Sequence, residues 1–141
     1  MTTWTDTIPA IDTHYARDVS FPIQFSSECD MLLDEDQEVV EQSLLLITFI
    51  PVGALRLFTV MGSSVTLAVF DQLDNAAVLT IDTTLRSAFD ILEPRIQVDK
   101  QMIVDESPDN HFIVVIVPYA IKVNGQTDAT RLTIPRPTPV G

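Results

Sequence analysis

Residues 74–98 read DNAAVLTIDTTLRSAFDILEPRIQV, and this stretch decides the fold. At helical spacing Val78, Ile81, Leu85, Ala88, Phe89 and Leu92 fall on one face, the pattern of an amphipathic helix laid on a core. Asp74 is a ready N-cap. Pro94 disfavours helical geometry for the residue before it, so the helix is expected to stop at about Glu93. The following IQVDKQMIV alternates as a strand. Glu93-Pro94-Arg95 is therefore a rigid corner. It sets a carboxylate at the negative end of the helix dipole, which costs roughly 0.3–1 kcal/mol unless a donor meets it. Two readings follow: a surface ion pair with Arg95, or a corner presented to a partner chain.

Downstream, residues 96–104 place Ile96, Val98, Met102 and Val104 on one face of a half-buried strand. After the turn-forming DESPDN comes a strand from His111 to Val123, apolar on both faces and so expected to be covered on both. Pro118 removes a ladder donor and demotes its later half to an edge or a bulge. Asn124-Gly125 signals a turn, and a last short strand over Ala129–Ile134 precedes the proline-rich PRPTPVG. Such a terminal strand can form a self-contained antiparallel meander or accept a strand from another chain.

Upstream, residues 1–17 carry Pro9 and several threonines without periodicity, which suggests an extended arm anchored by Trp4 and Tyr15. VSFPIQF puts Val19, Phe21, Ile23 and Phe25 on one side of a short strand on the sheet's rim, with Pro22 confining it there. DEDQEVVEQSLLLITFI opens on acids, with Asp34 as cap and Gln37 three residues on, and becomes apolar at Val39, Val40, Leu44 and Ile47. Pro51 and Gly53 close this helix. A short strand over Ala54–Val60, a turn at Gly62-Ser63-Ser64 and the apolar piece VTLAVF are expected next.

The chain has 141 residues, enough for one domain that folds without staples. The elements add up to a small α+β domain, with an antiparallel or mixed sheet packed against two main helices. The net charge of −12, without clustered lysine or arginine, argues against nucleic-acid binding. No secretion signal is visible at the start, and the apolar run 44–60 is broken by Pro51, Gly53 and Arg56, so a soluble, non-membrane protein is expected. The single cysteine, Cys29, excludes an intramolecular disulfide and a multi-cysteine zinc site. No motif pairs His14 or His111 with a nucleophile. From Gln42 to Phe70 the only charged residue is Arg56. That surface either meets another subunit or forms a deeply buried central hairpin.

Taken in order, YARDVSFPIQF over residues 15–25, the acidic helix ending in a Pro/Gly turn, and VF followed by DNAA opening a helix that ends in EPRIQV resemble the baseplate wedge proteins of contractile phage tails. These gene W or gene 25-like "lysozyme" proteins have a counterpart in type VI secretion and other contractile injection systems. The likeness covers residues 15–134, leaving a 1–17 arm, an 18–135 domain and a 136–141 tail. Its most specific parts are Arg17 with Ser20-Phe21-Pro22, and Glu93-Pro94-Arg95 at the helix-to-strand junction. The resemblance implies a structural subunit in six copies around the tail tube, in a virion baseplate assembled in the host cytoplasm. It implies a wedge core bundle of larger subunits docked on Glu93, Pro94 and Arg95. It implies strand exchange with the tail sheath protein at the sheet, mapped onto Phe112, Val114, Ile116, Leu132 and Ile134. Charge reversal at Glu93 or Arg95 is expected to abolish wedge assembly while leaving the monomer folded. Two departures stand out: ALRLFTVMG keeps only Arg56 where the family has a basic, polar strand, and the N-terminal arm matches no pattern.

No enzyme, no cofactor and no metal site are expected. Glycoside hydrolysis needs two carboxylates about 5–10 Å apart across a sugar-binding cleft, and the acids here sit mostly in helix starts and turns. The same fold family also contains a small bacterial anti-adaptor, so a regulatory binding protein is the alternative to a baseplate subunit.

Overall fold

The structure is a computed structural model that describes residues 15–70 and 72–136. It is α+β, with two antiparallel sheets and three helices among the described residues. Trp4 and the rest of the expected arm up to His14, and the tail beyond Arg136, lie outside the described residues. The chain gathers into two compact units, one ending at Val40 and one beginning at Glu41.

The described part of the first unit contains a short ribbon. β1 (Arg17–Val19) pairs antiparallel with β2 (Leu33–Glu35) in the register Arg17↔Glu35, Asp18↔Asp34, Val19↔Leu33. Beyond this ladder the strands stay loosely joined by Ser20 N–H to the Leu32 carbonyl at 3.2 Å, Leu32 N–H to the Gln24 carbonyl at 2.9 Å and a bridge between Phe25 and Met31. The expected strand over 19–25 thus ends at Val19, because Pro22 has no N–H to continue a ladder. Phe21, Ile23 and Phe25, expected together on one side of a rim strand, are exposed. Asp34 is not the helix cap; it sits in β2. Asp36, with φ 54°, stands before the helix instead, and its Oδ1 accepts Tyr15 N–H at 2.8 Å and Ala16 N–H at 3.3 Å. Helix α1 then runs Gln37–Phe49.

In the second unit α1 contributes Leu44 and Ile47 to the core. It is followed by a loop over residues 51–62, α2 (Val65–Ala68) and α3 (Asn75–Leu92). The expected strand over 54–60 is absent; all ten residues 51–60 are exposed, which rules out a buried hairpin there. α3 begins and ends where its sequence says. Asp74 Oδ1 accepts Ala77 N–H at 2.7 Å, and Glu93 is the C-cap. The helix buries Ile81, Asp82, Leu85 and Phe89, with Val78, Ala88 and Leu92 half-buried at the margins of that face. Each fully buried apolar side chain contributes about 1.5–3 kcal/mol.

The main sheet contains β3 (Ile96–Gln97), β4 (Ile103–Glu106), β5 (Phe112–Ile121) and β6 (Thr127–Pro135). β5 is central. β6 covers one side of it over nine register pairs, from Phe112↔Pro135 to Ala120↔Thr127. On the other side lie β4, opposite 113–116, and β3, opposite 120–121, end to end. One face of β5, Ile113, Val115, Val117, Tyr119 and Ile121, is fully buried. The other is only partly covered: Phe112 is exposed and Val114, Ile116, Pro118 and Ala120 are half-buried. Covering on both faces, as expected from the apolar run, therefore holds for one face alone.

The strand expected over 96–104 is interrupted between Val98 and Met102, opposite Pro118. Two causes act together. Pro118 cannot donate to a ladder, and α3 captures the backbone that would have paired. Arg86 donates to the Val98 carbonyl through Nη1 and to the Lys100 carbonyl through Nη2 at 2.9 Å. Asp82 Oδ1 accepts Met102 N–H at 3.0 Å and Arg86 Nη2 at 3.3 Å. The interval leaves an open recess of about 370 Å³ lined by Gln97, Asp99, Lys100, Pro118 and Asp128 among others. Asp82→Ala should therefore destabilise the fold by about 2 kcal/mol, since it strands a buried N–H and an Arg86 guanidinium at once. A denaturant titration checks this; a change under about 0.5 kcal/mol would mean the clamp is dispensable.

Candidate partner interfaces

The Glu93-Pro94-Arg95 corner is built by the end of α3 and the start of β3. Glu93 N–H donates to the Phe89 carbonyl at 2.8 Å, which closes the helix, and the Arg95 carbonyl accepts Lys122 N–H at 2.9 Å, which ties the corner to the turn after β5. The Glu93 residue is 2% exposed, so its carboxylate is turned inward. Arg95 holds both its oxygens, Nε to Oε1 at 2.5 Å and Nη2 to Oε2 at 2.7 Å, and Nη2 also reaches Ser43 Oγ of α1 at 3.2 Å. A planar guanidinium and a carboxylate fit each other in this two-bond geometry. The donor that a carboxylate at a helix C-terminus requires is thus supplied two residues away. The Arg95 side chain is 33% exposed, and Pro94 is exposed. What the corner shows to solvent is a proline ring and one face of an already-paired guanidinium.

The sheet residues divide between two faces. Phe112, Val114 and Ile116 lie on the partly covered face of β5. Leu132 and Ile134 of β6 are 2% exposed and belong to the core, paired with Val115 and Ile113. What β6 offers another chain is its backbone: among the described strands it pairs only with β5, so its outer edge is open along nine residues.

A further surface is the loop over 51–62. Its neck is closed by Ser63 N–H to the Ile50 carbonyl at 2.9 Å and Ser63 Oγ to the Thr48 carbonyl at 2.9 Å. Its interior is organised by Gly53 N–H to the Thr59 carbonyl at 3.0 Å and Met61 N–H to the Phe58 carbonyl at 3.0 Å. This compact loop presents apolar side chains outward, with Leu57 90% exposed and Phe58 and Val60 well over half exposed. The nearly uncharged stretch from Gln42 to Phe70 therefore does carry an exposed apolar surface.

Sequence reading did not find the Asp82–Arg86 clamp. The two are spaced i, i+4 on α3, a signal that ordinarily means a solvated pair. Among the described residues no group of three or more His, Cys, Asp or Glu side chains is placed to hold a metal ion, and no helix is long and apolar enough to cross a membrane. In the recess beside Pro118, Asp99 is exposed and Asp128 Oδ1 accepts Ala129 N–H at 2.7 Å.

No family model matches this chain. No curated protein matches it either. Solved structures do. A protein from Geobacter sulfurreducens described as a tail lysozyme superposes with a TM-score of 0.64 at 17% identity, over 77% of this chain and 98% of that one. A chain of the anti-feeding prophage baseplate superposes with a TM-score of 0.60 at 16% identity, over 87% of each chain. The fold is the one these two proteins share.

Proposed function

From that shared fold we propose that the chain is a gene 25-like structural subunit of a contractile-tail baseplate, arranged as a 1–17 arm, an 18–135 domain and a 136–141 tail. The observation that carries this is the superposition on a chain of an assembled, six-fold baseplate over 87% of both partners. In this reading the subunit joins the wedge core bundle to the first ring of sheath subunits and occurs in six copies. The Glu93-Pro94-Arg95 corner docks on the bundle. Its geometry suits that role: an internally neutralised ion pair costs less to desolvate against a partner than a lone charge, and the exposed proline fixes the backbone that the partner meets. The open edge of β6 is the place for a sheath strand, with backbone hydrogen bonds giving affinity and the half-covered Phe112, Val114 and Ile116 face giving contact area. Held at these two places, the second unit moves when the baseplate opens and draws the first sheath ring with it.

The proposed role is structural, not catalytic. A retaining or inverting glycosidase keeps one carboxyl protonated beside a second across a cleft. The buried carboxylates described above, Asp82 and Glu93, are instead consumed by Arg86, Arg95 and a backbone N–H.

The test uses a double variant that keeps the corner hydrogen-bonded while removing its charge, Glu93→Gln with Arg95→Gln. Co-expressed with its wedge partners, the wild-type chain should co-elute with them in size-exclusion chromatography. The double variant should keep its circular dichroism spectrum and elute alone. Undiminished co-elution of a folded double variant would remove the corner from the interface.

A further inference from the structure

The β1–β2 ribbon between Arg17 and Glu35 has more apolar surface than it can cover. Phe21, Ile23, Phe25, Met31, Leu32 and Leu33 are each between 41% and 68% exposed. An isolated two-stranded ribbon is marginal in water even when its side chains are polar. Here the ladder itself spans only three residue pairs, and the remainder is held by single backbone bonds and one bridge. Exposed apolar surface of this density marks a contact.

The rim says what kind of contact. Residues 15–40 contain seven acids, Asp18, Glu28, Asp30, Asp34, Glu35, Asp36 and Glu38, against one base, Arg17, which is paired with Glu35 at 3.0 Å. Asp18 is exposed on the ladder, and its Oδ1 accepts Val19 N–H at 2.8 Å. Glu28 and Asp30 project from the ribbon's tip, where Ser26 Oγ accepts their backbone N–H groups and leaves the carboxylates in solvent. Such a field repels phosphate, which sets aside nucleic acid and anionic lipid, and it repels a second copy of a chain whose net charge is −12. It attracts lysine and arginine.

We propose that this ribbon is a docking arm for a segment of another protein that is apolar on one side and flanked by basic residues. The apolar face of that segment covers Phe21, Ile23 and Phe25, and its basic residues meet Glu28 and Asp30. The partner supplies the packing that the ribbon lacks, so the ribbon stiffens on binding. The inference does not depend on the baseplate reading: it rests on the ribbon alone and holds for whichever assembly the chain enters.

Hydrogen–deuterium exchange of the full chain tests it, with an 18-residue amphipathic leucine/lysine peptide as the probe and a leucine/glutamate peptide with the same apolar face as its control. The lysine peptide should slow exchange of the amides between Arg17 and Glu35, and the glutamate peptide should not. Glu28→Lys with Asp30→Lys, and separately Phe21→Ser with Phe25→Ser, should each weaken the lysine peptide by about tenfold or more. All four substitutions are at exposed positions, so the rest of the chain's exchange pattern should stay unchanged. Equal protection by both peptides, or protection mapped outside the ribbon, overturns the proposal. So does a ribbon already protected in the free chain at the lowest concentration, which would make its occupant another part of the same molecule. Protection that appears on raising the chain's own concentration overturns it in favour of a second copy.

Discussion

Arg95→Glu should lower the stability of the isolated chain by about 3 kcal/mol. The Glu93 carboxylate is buried at the C-terminal end of α3, and both its oxygens are held by Arg95. Removing one partner of a buried pair leaves the other charge uncompensated, at a cost of about 3–5 kcal/mol. The lower end applies because a third of the Arg95 side chain remains in solvent. For a chain of this length that corresponds to a fall in melting temperature of about 10 °C. A melting temperature within about 2 °C of wild type would show that Glu93 finds another donor. This result bears on how the interface is to be tested. From sequence, charge reversal at the corner is expected to spare the fold of the monomer; the geometry instead makes the corner part of that fold. Loss of assembly in Arg95→Glu would therefore not distinguish a broken contact from an unfolded subunit, whereas the neutral double variant does.

Gly62→Ala should be more damaging still. A Cβ at this position would lie 2.1 Å from the Ile50 carbonyl oxygen and 2.9 Å from its carbon, both backbone atoms, and the glycine has φ +113°. Strain in a conformation that L side chains rarely adopt costs about 1–3 kcal/mol, and relief of the clash requires opening the bond between Ser63 N–H and that same Ile50 oxygen. Together these should exceed about 3 kcal/mol. Exchange of the Ser63 amide should accelerate along with the drop in melting temperature. A variant with wild-type melting and a protected Ser63 amide would contradict the closed neck. If the apolar tip around Leu57 and Phe58 is a contact, the same substitution should weaken it by disordering the loop that presents it.

The parts of this fold that were legible in the sequence are those set by local chemistry. α3 starts next to the carboxylate that caps it and stops two residues before the proline that excludes helix, so Asp74 and Pro94 alone bound it correctly. β5 and β6 follow from apolar runs and an Asn-Gly turn, and Gly125 at φ +69° bears out the reason for that turn. What was not legible depends on partners far along the chain. The break between β3 and β4 needs Asp82 and Arg86, 12 to 20 residues away, to take the backbone groups of Val98, Lys100 and Met102. No periodicity within 96–104 announces it. The 54–60 strand failed for the opposite reason: its residues have strand propensity, but among the described residues no strand pairs with them, and the loop bonds to itself. Leu132 and Ile134 show a limit of another kind. The sequence placed them in the right strand, and only the register, Leu132 against Val115 and Ile134 against Ile113, shows that they face the core. The apolar ribbon near the N-terminus reads from sequence as a rim strand with its apolar residues on one side, and alternation gives two faces without saying which of them is wet.

The open edge of β6 also has a built-in selectivity. Thr127–Pro135 has nine residues, and the middle one is Arg131. If two copies of the chain laid this strand against itself, antiparallel and centred, Arg131 would stand opposite Arg131, and like charges facing each other across a ladder repel. Pro135 would remove a donor at each end of such a pairing. A stray copy is thus a poor match for the edge, while a foreign strand carrying an acidic or neutral residue at its centre is not. The strand's own sequence thus works against the pairing of like with like at this edge.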